Sequence, residues 1–154
     1  MRADAKLRIE VDGEVQFSRW ARGLIRHLTS WKPFFERFAP RFIDLLRRRM
    51  DSEGAADGQA KWPELSEQYA AWKQQHFPGK PMLQRTGDLY EAVTKPEVEI
   101  TDETLTITID SPYAIYHHSA EPRTSNLPRR VIASFTARFK REVMAAWREV
   151  MANG

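Results

Sequence analysis

Four histidines, His27, His76, His117 and His118, are the side chains best suited to proton transfer or metal ligation, because imidazole titrates near neutral pH and binds divalent metals. Their spacing does not assemble a site. His117 and His118 are adjacent, so on a strand they face opposite sides of the sheet, and no third ligand follows at helical or hairpin spacing. Ser111, Ser119 and Ser125 lack the glycine-flanked turn that exposes a nucleophilic serine, and Asp51 to Gly58 lacks the ligand alternation and terminal glutamate of a calcium loop. None of the 7 glycines opens a helix as a phosphate cradle, and the lack of cysteine removes disulfides, thiolate metal sites and thiol nucleophiles. These residues point away from an enzyme and imply no cofactor and no metal. A small hydrolase using His117 or His118 is the minor alternative.

The cations offer a second chemistry. Arg47-Arg48-Arg49 ends a helical stripe, where positive charge suits the macrodipole and is expected on a solvated face, and Arg123, Arg129, Arg130, Arg138, Lys140 and Arg141 gather before and along the last helix. Glu121, Glu142 and Glu149 interrupt the second group, and 24 Lys and Arg against 21 Asp and Glu leave a net charge of only +3. That balance favours a protein interface over a phosphate-tracking stripe, despite a pI near 9.3. A sequence-tolerant nucleic-acid-binding module using these clusters is the alternative reading.

The elements that position these groups follow from periodicity. Leu7, Ile9 and Val11 alternate with charged residues and predict a short strand before Asp12-Gly13. Phe17, Trp20, Leu24, Ile25 and Leu28 recur at three and four, as do Phe34, Phe35, Phe38, Phe42, Leu45, Leu46 and Met50, and each set predicts an amphipathic helix. Thr29-Ser30 caps the second of these, Pro33 fits its first turn, and Pro40 is expected to kink or divide it. Leu65, Tyr69 and Trp72 share one face of a third helix ending near His76 and, with Trp62, are expected to anchor the middle of the chain, while Thr86 caps a further turn or two as far as Val93. Residues 97–100 and 104–109 read as a hairpin with Leu105, Ile107 and Ile109 facing inward, and residues 113–117 as a third sheet strand or a short helical turn. From Ile132, the positions Phe135, Phe139, Val143, Ala146, Trp147 and Val150 predict a C-terminal helix of about five turns.

The chain is 154 residues long, with 42% hydrophobic and 29% charged residues, which suits one folded domain over residues 1–154. No stretch is apolar enough to span a bilayer, and the charged start to the chain lacks a secretory signal, so synthesis in the cytosol is expected. The expected fold class is α+β: N-terminal helices, a small antiparallel sheet and a long C-terminal helix packed on it.

Two segments exceed what packing alone explains. One runs Asp57-Gly58, Lys61-Trp62, Leu65-Ser66, Tyr69-Ala70, Lys73 and then Leu83, Arg85-Thr86-Gly87-Asp88-Leu89; the other is Tyr113-Ala114, Tyr116-His117 followed by Leu127-Pro128-Arg129-Arg130. With the arginine-rich helix end and Asp51-Ser52-Glu53-Gly54, this order resembles the phage virion morphogenesis family, the tail-completion proteins of contractile-tailed phages, prophages and phage-tail-like particles, over about residues 40 to 140. The family's ending has a small residue and Gly after the His; His118-Ser119-Ala120 lacks that Gly, while Pro128-Arg129-Arg130 fits the Pro-x-Arg motif that follows.

The resemblance implies a non-catalytic virion component, made and assembled in the bacterial host cytoplasm, that finishes the head-proximal end of the tail and helps join it to the head. It implies a homo-oligomeric ring beside tail terminator, tail tube or head–tail connector proteins, with no membrane and no requirement for DNA contact. Asp57, Trp62, Arg129, Arg130, Arg138 and Arg141 are the expected interface residues. The loop at residues 51–60, lacking apolar periodicity, is expected to gain order only from a neighbouring subunit. Arg129 and Arg130 oppose the dipole of the last helix, so both are expected to meet carboxylates of an adjacent subunit or tail protein, with Asp110, Glu121 or the acids of residues 51–57 as same-chain alternatives.

Overall fold

The computed structural model describes residues 7–12, 30–118 and 128–152; the stripe from Phe17 to Leu28, with His27, and the loop carrying Ser119, Glu121, Arg123 and Ser125 lie outside the described residues. Helix α1, Lys32–Asp51, is the longest element. Pro33 occupies its first turn, and the hydroxyl of Ser30 accepts from the Lys32 N–H at 3.1 Å just outside the helix. The helix continues through Pro40 and is not divided there. Pro40 and Glu36 both face solvent, so water can satisfy the Glu36 carbonyl that the missing proline N–H leaves open.

One face of α1 buries Phe34, Phe35, Phe38, Phe42, Leu45, Leu46 and Met50, the spacing read from the sequence. Phe38 stacks on Phe34 at 5.6 Å and on Phe42 at 5.8 Å, and Phe139 meets Phe38 and Phe42 edge-on at 5.4 and 5.6 Å. Phe139 belongs to α5, Ala137–Ala152, which runs antiparallel to α1 and brings Trp147 within 6.0 Å of Phe34. This helix starts later than the periodicity suggested: Ile132 and Phe135 precede it, and the Thr136 hydroxyl accepts from the Phe139 N–H at 3.1 Å as its cap. Arg41 of α1 clasps Glu142 at 3.0 Å and also pairs with Glu149. Burial pushes the Glu142 carboxyl up, but Arg41 and Arg138 outweigh it and hold the group below its ordinary value.

The sheet contains β1, Leu7–Asp12, β2, Glu97–Ile100, and β3, Thr104–Ile109, antiparallel in the order β1-β3-β2. Ile107 faces Ile9 on one side and Val98 on the other, and Leu105, Ile107 and Ile109 are fully buried beneath the helices. The N-terminal strand thus joins the sheet and takes the edge of β3 that a strand at residues 113–117 would have needed. Those residues instead form the short helix α4, Ala114–His118, started by a turn in which Ser111 accepts from the N–H groups of Tyr113 and Ala114. The other helices are α2, Glu67–His76, and α3, Asp88–Thr94, the latter contributing Leu89 and Val93 to the core. The described elements have the expected α+β architecture.

Because Phe38 is fully buried among three other rings, Phe38→Ala should lower the unfolding free energy by roughly 3–5 kcal/mol. A urea titration checks this, and a loss below about 1 kcal/mol would contradict the packing described.

Candidate functional site

The site is built from the last turn of α1. Positions 45, 46, 49 and 50 share one helical face, so Arg49 projects inward beside Leu45, Leu46 and Met50 and is buried. Its Nε donates to the Val131 carbonyl at 2.6 Å, while Nη1 donates to the Gly54 carbonyl at 2.9 Å and to the Gln59 side-chain oxygen. Burial pulls the guanidinium below its ordinary value and Asp57 partly restores it. Trp62 Nε1 donates to the same Val131 oxygen at 3.0 Å. Gly54 has φ +94°, and a β-carbon there would lie 2.5 Å from the Trp62 ring, so both backbone and space demand glycine.

These contacts order the loop at residues 51–60 within the chain, without a neighbouring subunit. The Trp62 N–H donates to the Glu53 carbonyl at 2.8 Å, and Ser134 donates to Gln59 at 3.1 Å. The Glu53 carboxylate accepts from the Met82 N–H at 2.9 Å and pairs with Lys61 at 3.0 Å, and these contacts hold it below its ordinary value. Apolar periodicity is a poor guide to such a loop, because buried polar groups hold it.

Helix α2 departs most from expectation. Ser66 caps it, accepting from the Tyr69 N–H at 3.4 Å, and it ends at His76 as expected. Yet Tyr69 and Trp72 are exposed, and the buried side chain is Lys73. Its Nζ donates to the carbonyls of Lys80 and Pro81, both at 2.7 Å, and burial lowers its affinity for the proton. Trp62 is buried and Leu65 half-buried, whereas Tyr69, Trp72 and His76 stack along the outside, with centroids 5.6 and 4.6 Å apart. Lys73 and Glu53 together pin the 80–83 turn, where Leu83 holds a left-handed backbone at φ 60°.

A cleft of ≈ 530 Å³ opens between α2, the approach to α3, α4 and residues 128–130. Leu65, Tyr69, Lys73, Leu83, Arg85, Leu89, Tyr113, His117 and Arg130 are among the residues lining it. The two sequence segments singled out above therefore meet in one place.

The expected interface residues divide. Trp62 and Arg130 are buried; Arg130 lines the cleft and donates to the Pro63 carbonyl at 3.1 and 2.8 Å and to the Glu64 carbonyl at 3.1 Å. Arg130 is therefore spent inside the chain on backbone oxygens rather than facing outward with Arg129. Arg129 is exposed and donates to the His118 carbonyl at 3.1 Å. Asp57 pairs with Arg48 at 3.3 Å and does not line the cleft. Arg138 pairs with Glu142 at 2.8 Å on α5 and Arg141 is exposed on the same helix; neither lines the cleft. Arg49 thus leaves the solvated face expected for the arginine run, as its helical phase dictates, whereas Lys73 is buried by carbonyls seven and eight residues further on and Arg130 by those of Pro63 and Glu64.

His118 closes the 128–133 segment. Its Nδ1 accepts from the N–H groups of Ile132 at 3.3 Å and Ala133 at 3.4 Å, which requires a neutral ring carrying its proton on Nε2. Burial, with Arg129 and Arg49 nearby, holds its pKa below the ordinary value.

Among the described residues there is no group of three metal-ligating side chains and no helix long and apolar enough to cross a membrane. A family model described as the phage virion morphogenesis family matches residues 12–151. No curated protein and no solved structure matches the chain.

The depressed pKa of His118 sets a pH dependence. The unfolded chain protonates this ring near the ordinary histidine value of 6.5 and the folded chain only at lower pH, so its contribution to stability is whole above that value and is lost as pH falls through the folded pKa. His118→Asn keeps a δ-position acceptor but does not titrate. Unfolding free energies between about pH 7 and pH 5 should fall more steeply in the wild type than in the variant. Parallel curves would contradict the neutral-ring assignment.

Proposed function

The chain belongs to the phage virion morphogenesis family, and we propose that it completes the head-proximal end of the tail and helps join tail to head, working as a ring-like protein assembly without catalysis. Membership itself implies a phage structural or assembly role and a place in the virion. The observation that carries the finer reading is what the residues of the family-like segments do. Arg49, Lys73 and Arg130 give their N–H groups to backbone carbonyls, a structural use, and the cleft they support presents exposed Tyr69, Tyr113 and Arg85. Tyrosine and arginine around a partly apolar depression are the side chains that concentrate energy at protein interfaces.

Charge pairing supports the same reading over nucleic-acid binding. Arg41, Arg47, Arg48 and Arg138 face carboxylates, and Arg49 and Arg130 are buried. A phosphate-tracking stripe would need these cations free.

Deleting the gene from its parent particle should leave tails with an unfinished upper end and, where heads are made, heads detached from them; supplying the full-length chain should restore joined particles. Electron microscopy of lysates reads both. Normal particles without the protein, or a complete loss of tails, would contradict the proposed role.

A further inference from the structure

The cleft has a counterpart on the same chain. Its lining carries Lys73, Arg85 and Arg130 against Glu64, an excess of positive charge. Arg85 is exposed, lies over the Phe77 ring at 5.7 Å, and has no carboxylate partner among the described residues. The β2–β3 hairpin is the opposite: its sequence Glu97-Val98-Glu99-Ile100-Thr101-Asp102-Glu103 carries four acids and no base. Glu97, Glu99 and Glu103 are exposed and enter no ion pair among the described residues, and Val98 adds an exposed apolar group on β2, the outer strand of the described sheet.

The two surfaces sit at opposite ends of α1. The hairpin turn is fixed to the start of that helix, where the Asp102 carbonyl accepts from the Trp31 N–H at 2.7 Å and its carboxylate accepts from the Ser30 hydroxyl. The cleft is fixed to its end: Gln84 donates to the Met50 carbonyl at 3.5 Å, and the Tyr90 hydroxyl donates to Asp51 at 2.9 Å. A helix of 20 residues separates them by about 30 Å. One chain therefore cannot satisfy its own cleft with its own hairpin, whereas successive copies can do so head to tail. Such a heterologous contact generates a ring when its rotation closes.

We infer that the acidic β2–β3 hairpin of one copy docks in the basic, tyrosine-rimmed cleft of the next copy. The contact rests on the ring assembly proposed above and supplies its subunit interface. Charge complementarity sets the register, and apolar contact from the edge of β2 adds to it.

The test is a charge swap in the full-length chain, supplied to particles lacking it. Arg85→Glu alone, and Glu99→Lys with Glu103→Lys, should each reduce joined particles by about tenfold or more, while all three substitutions in one chain should restore them. Unchanged thermal melting of each variant shows that the fold is retained, as expected for exposed positions. Because the chain has no cysteine, Arg85→Cys with Glu103→Cys gives an independent reading that survives any folding defect in the charge variants. Oxidised particles should yield a ladder of linked copies on a non-reducing gel. Single reversals without effect, or no rescue together with no ladder, or a link from residue 85 to a different tail protein, would overturn the contact. The role proposed above fails separately: a ladder in particles whose heads and tails join normally without this protein would leave the contact standing and remove the joining function.

Discussion

The carbonyl oxygen of Val131 accepts from Arg49 Nε and from Trp62 Nε1, and much of the molecule depends on this shared acceptor. A guanidinium removed from water destabilises a fold by several kcal/mol unless its N–H groups are satisfied. The fold meets that demand with oxygens from three separated places, Gly54, Gln59 and Val131, so the end of α1, the loop after it and the segment before α5 must come together at once. Trp62 then closes over Gly54 with no room for a side chain between them. The same device recurs where Arg130 holds the carbonyls of Pro63 and Glu64, and where Lys73 holds those of Lys80 and Pro81. Lys73 and Arg130 line the cleft, and Arg49 holds the loop that leads to Trp62.

The apolar half of the fold obeys simpler rules, and it was the half legible in the sequence. The Phe34 to Met50 stripe, the hairpin with Leu105, Ile107 and Ile109 inward, the strand at Leu7 and most of α5 followed from side-chain period alone, because burial there is decided by local spacing. The family was legible from residues whose individual roles were not. Side-chain period does not announce that the carbonyls just beyond its helix will hold Lys73 or that those of Pro63 and Glu64 will hold Arg130, and nothing in Asp51 to Ala60 announces that Arg49 and Trp62 will order it. The same blindness made Tyr69 and Trp72 anchors of the middle of the chain: with Lys73 turned inward, the aromatic side of α2 remains outside.

The distribution of charge links architecture to assembly. Acids and bases on α1 and α5 largely neutralise each other through Arg41, Arg138, Glu142 and Glu149, which secures the helix pair. Exposed pairs of this kind contribute little individually, and their larger effect is to remove those cations from contact with other molecules. Among the described residues, charge without an ion-pair partner includes Arg85 near the end of α1 and Glu97, Glu99 and Glu103 of the hairpin near its start. A surface with such polarity favours directed contact over general adhesion.

The central claim is that buried cations preform the cleft in the isolated chain. Hydrogen exchange on the full-length protein and on Arg49→Met tests it most directly, since methionine fills similar space without donating hydrogen bonds. In the wild type the amides of Gly54, Trp62 and Met82, which donate to Arg49, Glu53 and Glu53 respectively, should be protected. In the variant all three should lose protection together while the paired amides of β2 and β3 keep theirs. Free exchange of Trp62 and Met82 in the wild-type chain, or their undiminished protection in the variant, would contradict the account.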